Sequence, residues 1–254
     1  MIILKSDNEI KILRTGGKIL AKVLYEVAEA VKPGITTEEL NQLAIKRLRE
    51  LKAGPSFLNY GAANGNPFPA ALCTSVDDAV VHGIPNSEVV LKEGQIVGLD
   101  LGCWYEGLCT DMALTVPVGK VTSKVSNLLK ATKTALEIAI KQAKVGNKTG
   151  DIGNAVQEYV EACGFSVVRQ LVGHGVGREV HEDPPVPNFG KPGTGYELKR
   201  GMVIAIEPMV NMGDYSVKNL KDGWSVVTLD GSLSAHFEHT VAITDKGPQI
   251  LTLL

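Results

Sequence analysis

Two stretches of this chain repeat one design. Gly94-Gln-Ile-Val-Gly-Leu-Asp100 and Gly201-Met-Val-Ile-Ala-Ile-Glu207 each leave a turn glycine, run through an apolar strand and reach a carboxylate six residues on. Each is followed by a second acid that opens a further strand: Asp111 before Met-Ala-Leu-Thr-Val, and Glu238 before His-Thr-Val-Ala-Ile-Thr. A sequence built twice from one unit is expected to fold into two matching halves. No linker-like stretch divides them, so residues 1–254 are expected to form a single domain with halves of about 1–120 and 121–254.

The elements around the repeat follow one order twice. Apolar positions from Ile10 to Val31 recur every three or four residues and predict a helix over 7–31, with Ser6 and Glu9 at the spacing of a capping box. Thr36 and Glu39 repeat that signal before a helix predicted over 37–52. Residues 53–69 are rich in Gly, Asn and Pro and read as loop. Strands are predicted at 71–75, 89–91, 95–101 and 112–116, then helices at 121–145 and 151–163. Strands return at 167–172, 202–207, 225–229, 236–243 and 249–253. This order is α+β, not the alternation of a doubly wound sheet.

Alternate side chains of a strand point to opposite faces, so Asp100 shares a face with Ile96 and Gly98. It is a charge in an otherwise apolar strand, and Glu207 is another. Burying a lone carboxylate costs several kcal/mol or more unless a cation or donors satisfy it. Two such strands at matching points of a repeat argue for a shared cation. Val172-Gly-His174-Gly-Val-Gly-Arg-Glu-Val-His181-Glu-Asp-Pro-Pro185 adds histidines held among glycines and stopped by a double proline. Asp100, Asp111, Glu207 and Glu238 with His174 form an oxygen-rich set that suits two divalent ions and carries no thiolate. Mn, Fe, Co and Zn all accept such ligands. His82, in Val80-Val-His-Gly-Ile-Pro85, and His181 are expected beside the ions, donating to a substrate amide or an oxyanion. By alternation Glu238 shares a face with His236, while His239 points away to a structural role.

A formal net charge of −2 offers no basic surplus for nucleic acid. The N-terminus lacks the apolar run of a signal peptide, and no stretch approaches the roughly 18 apolar residues of a membrane span. No membrane partner and a cytoplasmic location are therefore expected. Cys73, Cys103, Cys109 and Cys163 form no Cys-x-x-Cys pair and read as reduced thiols.

Five segments in order resemble type I methionine aminopeptidases over essentially the whole chain. They are Val81-His-Gly-Ile-Pro85, Asp100 with Asp111 eleven later, Gly173-His-Gly-Val-Gly-Arg through His181-Glu to Pro184, Ile206-Glu-Pro-Met209, and Ser234-Ala-His-Phe-Glu-His-Thr240. The resemblance implies a pseudo-two-fold pita-bread fold, a curved antiparallel sheet backed by helices. It also implies removal of the initiator methionine from nascent chains at the ribosome, by a monomer, with a small second residue preferred. The cofactors implied are two divalent ions, drawn from Co, Mn, Fe, Zn or Ni. By position Asp100, Asp111, His174, Glu207 and Glu238 match the family's ligands, with Asp111 and Glu238 bridging. Glu207 matches the carboxylate that handles the proton of the attacking water, and His82 and His181 match histidines that contact substrate and intermediate. Cys73, Phe68 and Trp224 match the methionine pocket. Glu238 follows Glu207 by only 31 positions, which leaves no room for the helical insertion of type II enzymes. His236, Val180 and Gly65 depart from residues common in the family, and each bears on the shape of that pocket. Two other readings use the same fold: an X-Pro-cleaving peptidase, and a non-catalytic binding protein.

Overall fold

The computed structural model describes residues 2–254, and its first helices begin where the capping signals place them. In α1 (Asp7–Ala30) the Ser6 hydroxyl accepts from the Glu9 amide, and the Glu9 carboxylate accepts from the Ser6 amide at 2.8 Å. Thr36 and Glu39 do the same for α2 (Thr37–Glu50). Such reciprocal caps satisfy amides a helix start leaves unpaired, and each cap contributes about 1 kcal/mol. α1 buries Leu13, Leu20, Leu24 and Val27 on one stripe, at about 2 kcal/mol for each large side chain. α3 (Ser123–Gln142) and α4 (Thr149–Ala162) take the equivalent place in the second half, burying Leu128, Leu136, Ile152 and Val160.

β1 (Gly54–Pro55), β2 (Leu72–Val76), β3 (Ala79–Val81), β4 (Ile96–Tyr105) and β5 (Leu108–Pro117) belong to the first half. β5 pairs antiparallel with the whole of β4, while β2 and β1 share its other edge. This register sets Asp100 opposite Ala113 and Asp111 opposite Gly102, so the two acids are diagonal neighbours on one face. The second half holds β6 (Ser166–Val167), β7 (Gly173–Gly175), β8 (Glu182–Val186), β9 (Val203–Ile206) and β10 (Met209–Asn211). It continues with β11 (Val217–Asn219), β12 (Val226–Thr228), β13 (Ser234–His236), β14 (His239–Thr244) and β15 (Gly247–Ile250). Five of these form an antiparallel sheet ordered β15-β14-β9-β7-β8. β10 lies between β13 and β6, and β12 lies between β11 and the first half's β3.

One core joins α1 and α2 to Leu99, Leu101 and Met112, and another joins α3 and α4 to Ile204, Ile206 and Val210. Phe237 packs against both. Among the described residues no helix is long and apolar enough to cross a membrane.

Three predicted strands differ from the structure for one reason. The run 167–172 stays in the β10 sheet only through Val167, bends near Arg169, and resumes as β7 on β9. The run 236–243 breaks at Phe237 and Glu238, between β13 on β10 and β14 on β9. The run 202–207 ends at Ile206, and the chain re-forms after Glu207 and Pro208 as β10. Each run crosses from one sheet to another, and apolar periodicity does not report which partner a strand has. The alternation that put Glu238 on the face of His236 therefore does not apply across Phe237. Residues 89–91 are no strand: Val90 makes an isolated bridge to Thr36, and Val89 and Val90 lie exposed.

Candidate active site

The second-half carboxylates sit at the sheet crossings. Ile206 pairs with His239 and Met209 with His236, so Glu207 and Glu238 face each other where both strands leave one sheet for the next. Asp100 and Asp111 come from the unbroken β4–β5 ladder of the other half. His174 is the middle residue of β7, between two glycines that admit neighbouring backbone. A Cβ on Gly173 would lie 2.4 Å from the Ala205 carbonyl oxygen, and one on Gly175 2.2 Å from that of Asp183. Only glycine lets β8 and β9 close on β7 from both sides. The variant Gly175→Ala is expected to lose about 2 kcal/mol or more of stability to overpacking, read from urea unfolding. An unchanged midpoint would show that β7 tolerates the side chain.

Asp111, His174 and Glu238 each place one ligand atom within 4.8 Å of the others. His174 Nε2 is 3.4 Å from Glu207 Oε1, and Asp100 lies diagonally across the β4–β5 ladder from Asp111. The Nδ1 of His174 lies 2.9 Å from the Gly175 carbonyl oxygen. A carbonyl only accepts, so Nδ1 carries the proton and Nε2 keeps a free lone pair for a cation.

Burial and like charges favour the protonated form of these acids when no cation is near. Desolvation, then the neighbouring Glu207, pushes Asp111 up to about 8, and desolvation alone pushes Glu207 up to about 8. Asp100 and Glu238 are driven well above the carboxylate range by burial and by the other acids of the cluster. Burial lowers His82 and His174 to about 4, and His236 to about 3. One oxygen each of Asp100 and Glu238 is buried without a hydrogen-bond partner. Orphaned carboxylate oxygens cost several kcal/mol, and a divalent cation removes that cost. Four carboxylates and one imidazole, without thiolate, fit such an ion. The Cys73 thiol borders the site but is held protonated, its pKa raised well above the usual by burial and the nearby acids.

These groups line a cavity of about 120 Å³ whose other wall is Phe57, Tyr60, Phe68, Cys73 and Trp224. Phe68 packs edge-on to Trp224 with ring centroids 5.3 Å apart. His82 points in from backbone at φ 58, a left-handed conformation costly for any residue but glycine. The Ser225 hydroxyl donates to its carbonyl. His181 stands at the rim, its ring 4.3 Å from that of His174 and its Nδ1 2.7 Å from the Tyr60 hydroxyl. The turn before it is tied down by Glu182, which accepts from the amides of Arg178 and Glu179 and pairs with the buried Lys5 ammonium.

All ten residues singled out from the sequence as ligands, catalytic groups or pocket lining therefore border one cavity. Phe57 and Tyr60 were not among them. The signal was there: three aromatics, Phe57, Tyr60 and Phe68, crowd one loop of a chain only 5% aromatic. Of the three departures, Gly65 stands at the exposed end of a short 3-10 turn and does not line the cavity. Val180 is buried behind the wall among Phe57, Phe68 and Cys73. His236 Nε2, buried and without a hydrogen-bond partner, lies 3.6 Å from Glu207 Oε2. His239 turns outward from the acids, its Nδ1 2.9 Å from the Thr252 hydroxyl.

Any cation held by these acids would face imidazoles able to donate to a carbonyl and a pocket sized for one apolar side chain; that is the equipment of a metallopeptidase. Residues 11–245 match the description Metallopeptidase family M24. The methionine aminopeptidase of Clostridium perfringens is 52% identical with both chains fully covered, and methionine aminopeptidase 1 of Bacillus subtilis is 47% identical over 99% of each. The crystal structure of methionine aminopeptidase from Thermotoga maritima superposes with a TM-score of 0.96 at 46% identity, each chain fully covered. The chain belongs to metallopeptidase family M24 and, within it, to the methionine aminopeptidases. The pita-bread fold expected from the motifs is the fold found. A prolidase from Pyrococcus furiosus shares that fold at 24% identity and a TM-score of 0.77, covering 99% of this chain and 66% of its own. The segment from Glu207 to Glu238 contains strands and turns and no helix, as the spacing required.

Proposed function

We propose that this metallo-aminopeptidase removes the N-terminal methionine of nascent polypeptides when the second residue is small. The observation that carries this reading is the convergence of five potential ligands from both halves, with orphaned carboxylate oxygens, beside one aromatic-walled pocket. Asp100, Asp111, His174, Glu207 and Glu238 would hold two divalent ions, shared through Asp111 and Glu238. Bound there, divalent ions supply Lewis acidity toward a carbonyl and lower the pKa of water. Glu207 takes the proton of the attacking water on a carboxylate oxygen and returns it to the amide nitrogen, which leaves as the free amine when the C–N bond breaks. His181, its Nδ1 accepting from Tyr60, presents Nε2–H to the developing oxyanion, and His82 contacts the scissile amide nitrogen. Phe57, Tyr60, Phe68, Cys73 and Trp224 enclose the thioether side chain. The chain acts as one catalytic unit of two halves, as a cytoplasmic monomer meeting nascent chains at the ribosome.

A peptide beginning Met-Ala-Ser is expected to lose its methionine when the metal-free protein is supplied with Mn, Co or Fe, followed by release of free methionine. A Met-to-norleucine change should be tolerated better than Met-to-Glu, because the wall is apolar. Absence of turnover with every one of these metals would refute the activity, and preferential cleavage of an X-Pro peptide would reassign it.

A further inference from the structure

Two threonines lace the halves together along the line where the bridging acids stand. On one edge β5 pairs with β4; its other edge runs antiparallel to residues 236–240 without a regular ladder. One direct backbone bond crosses this seam, from the Glu238 amide to the Ala113 carbonyl at 2.8 Å. On either side of it a hydroxyl takes the place of backbone. The Thr240 hydroxyl accepts from the Asp111 amide at 2.8 Å and donates to the Asp111 carbonyl at 2.7 Å. The Thr115 hydroxyl accepts from the His236 amide at 2.9 Å and donates to the His236 carbonyl at 2.8 Å. The crossings pair 111 with 240, 113 with 238 and 115 with 236, the register of an antiparallel ladder. In such a ladder a residue exchanges two bonds with the backbone opposite. Here one Oγ makes both bonds, so the strands are joined through a side chain at each outer position. Thr115, Thr240, Asp111 and Glu238 are all nearly inaccessible to solvent, so water does not substitute for the hydroxyls.

We infer that Thr115 and Thr240 are positioning residues for the metal centre: they fix the spacing and register between the backbone that carries Asp111 and the backbone that carries Glu238. This rests on the reading of those acids as ligands. Thr240 acts on Asp111 directly, and Thr115 acts on Glu238 through His236, two residues before it. A hydroxyl is required at each place because it must accept and donate at once; a methyl of the same shape does neither. The geometry sets the distance between two acids of different halves, so its loss is read in metal affinity more than in folding. Outer partners of metal ligands typically govern affinity by about 10- to 100-fold.

The test titrates Mn²⁺ into metal-free wild type, D111N, T240V, T240S and T115V, by calorimetry and by the electron paramagnetic resonance of the bound ion, with thermal unfolding of each. The expected result is tight uptake by wild type and T240S, and weakening of about 10- to 100-fold in T240V and T115V while both remain folded. Wild-type affinity in T240V and T115V, with only their melting temperatures lowered, would overturn the inference and leave the hydroxyls a structural part. Should T240V fail to fold, T115V decides by the same criterion. Should wild type bind no Mn²⁺ and D111N behave identically, the ligand assignment itself falls, and the inference with it; loss in D111N alone separates the two failures.

Discussion

His174→Ala is expected to lower kcat/KM for a Met-Ala-Ser peptide by about 10³-fold or more, equivalent to about 4 kcal/mol of transition-state stabilisation. His174 is the imidazole that groups with Asp111 and Glu238, its free Nε2 3.4 Å from Glu207. Its removal takes away a neutral ligand and leaves four carboxylates with less to balance. The fold should survive, because the ring is not packing a core: Gly173 and Gly175 make β7, and neither needs the imidazole. Circular dichroism and unfolding of the variant should match wild type within about 1 kcal/mol. Retained turnover would remove His174 from the ligand set. His181→Ala should instead lower kcat with metal content unchanged, because that ring stands at the rim with its Nδ1 on Tyr60.

The second large effect is on stability, and its sign depends on pH. A carboxyl whose pKa is higher folded than unfolded binds its proton more tightly in the native state. Its contribution is complete below the unfolded value and is lost as pH rises through the folded one. Asp111 and Glu207, pushed up to about 8, therefore destabilise the metal-free protein progressively from the ordinary carboxylate range to about pH 8. Buried imidazoles act in the opposite sense. His82 and His174, held down to about 4, stabilise above their unfolded value near 6.5 and lose that contribution on acidification. His236, lowered to about 3 by burial, and His239, lowered to about 4, act alike, and so does His181, through partial desolvation and the nearby His174 and His82. Between about pH 6.5 and 8 the acids act alone, and metal-free protein should lose up to about 1.4 kcal/mol per pH unit for each carboxyl that gives up a proton. Saturating Mn²⁺ should abolish this decline, since binding replaces protons with a cation and stabilises only the folded chain. Melting curves at pH 6.5, 7.2 and 8.0 with and without metal check it; parallel curves would mean the acids are not a cation site. Glu238→Gln should raise the metal-free melting temperature at pH 8 and abolish turnover, because it removes a carboxyl whose raised proton affinity burdens the empty site above the ordinary carboxylate range and which is the proposed ligand of the filled one.

Much of this was legible in residues. The two capping boxes placed α1 and α2 to within a residue or two, because the cap is a local exchange of hydrogen bonds between Ser6 and Glu9, and between Thr36 and Glu39. The repeat located four acids because a charge ending an apolar strand is anomalous wherever it occurs. Sheet membership was not legible. Glu207 and Glu238 sit at crossings between sheets, and what ends β9 and β13 there is the position of partners far away in sequence. The pocket wall was only half legible: Phe57 and Tyr60 lie in a loop whose course is set by contacts such as Gly61 against Trp224. Val180 shows the complementary limit, since a side chain can be near a pocket in sequence terms and still lie one layer behind it.

The seam between β5 and residues 236–240 also sets a clock. Asp100 and Asp111 belong to one side of it, Glu207, Glu238 and His174 to the other. If these five residues hold the ions as proposed, any fluctuation wide enough to part the two sides breaks the coordination at once, whatever the strength of the individual bonds. The dwell time of a bound ion is then bounded by the opening rate of the seam, and metal release and amide exchange at Asp111 and Glu238 should slow together when that opening is suppressed.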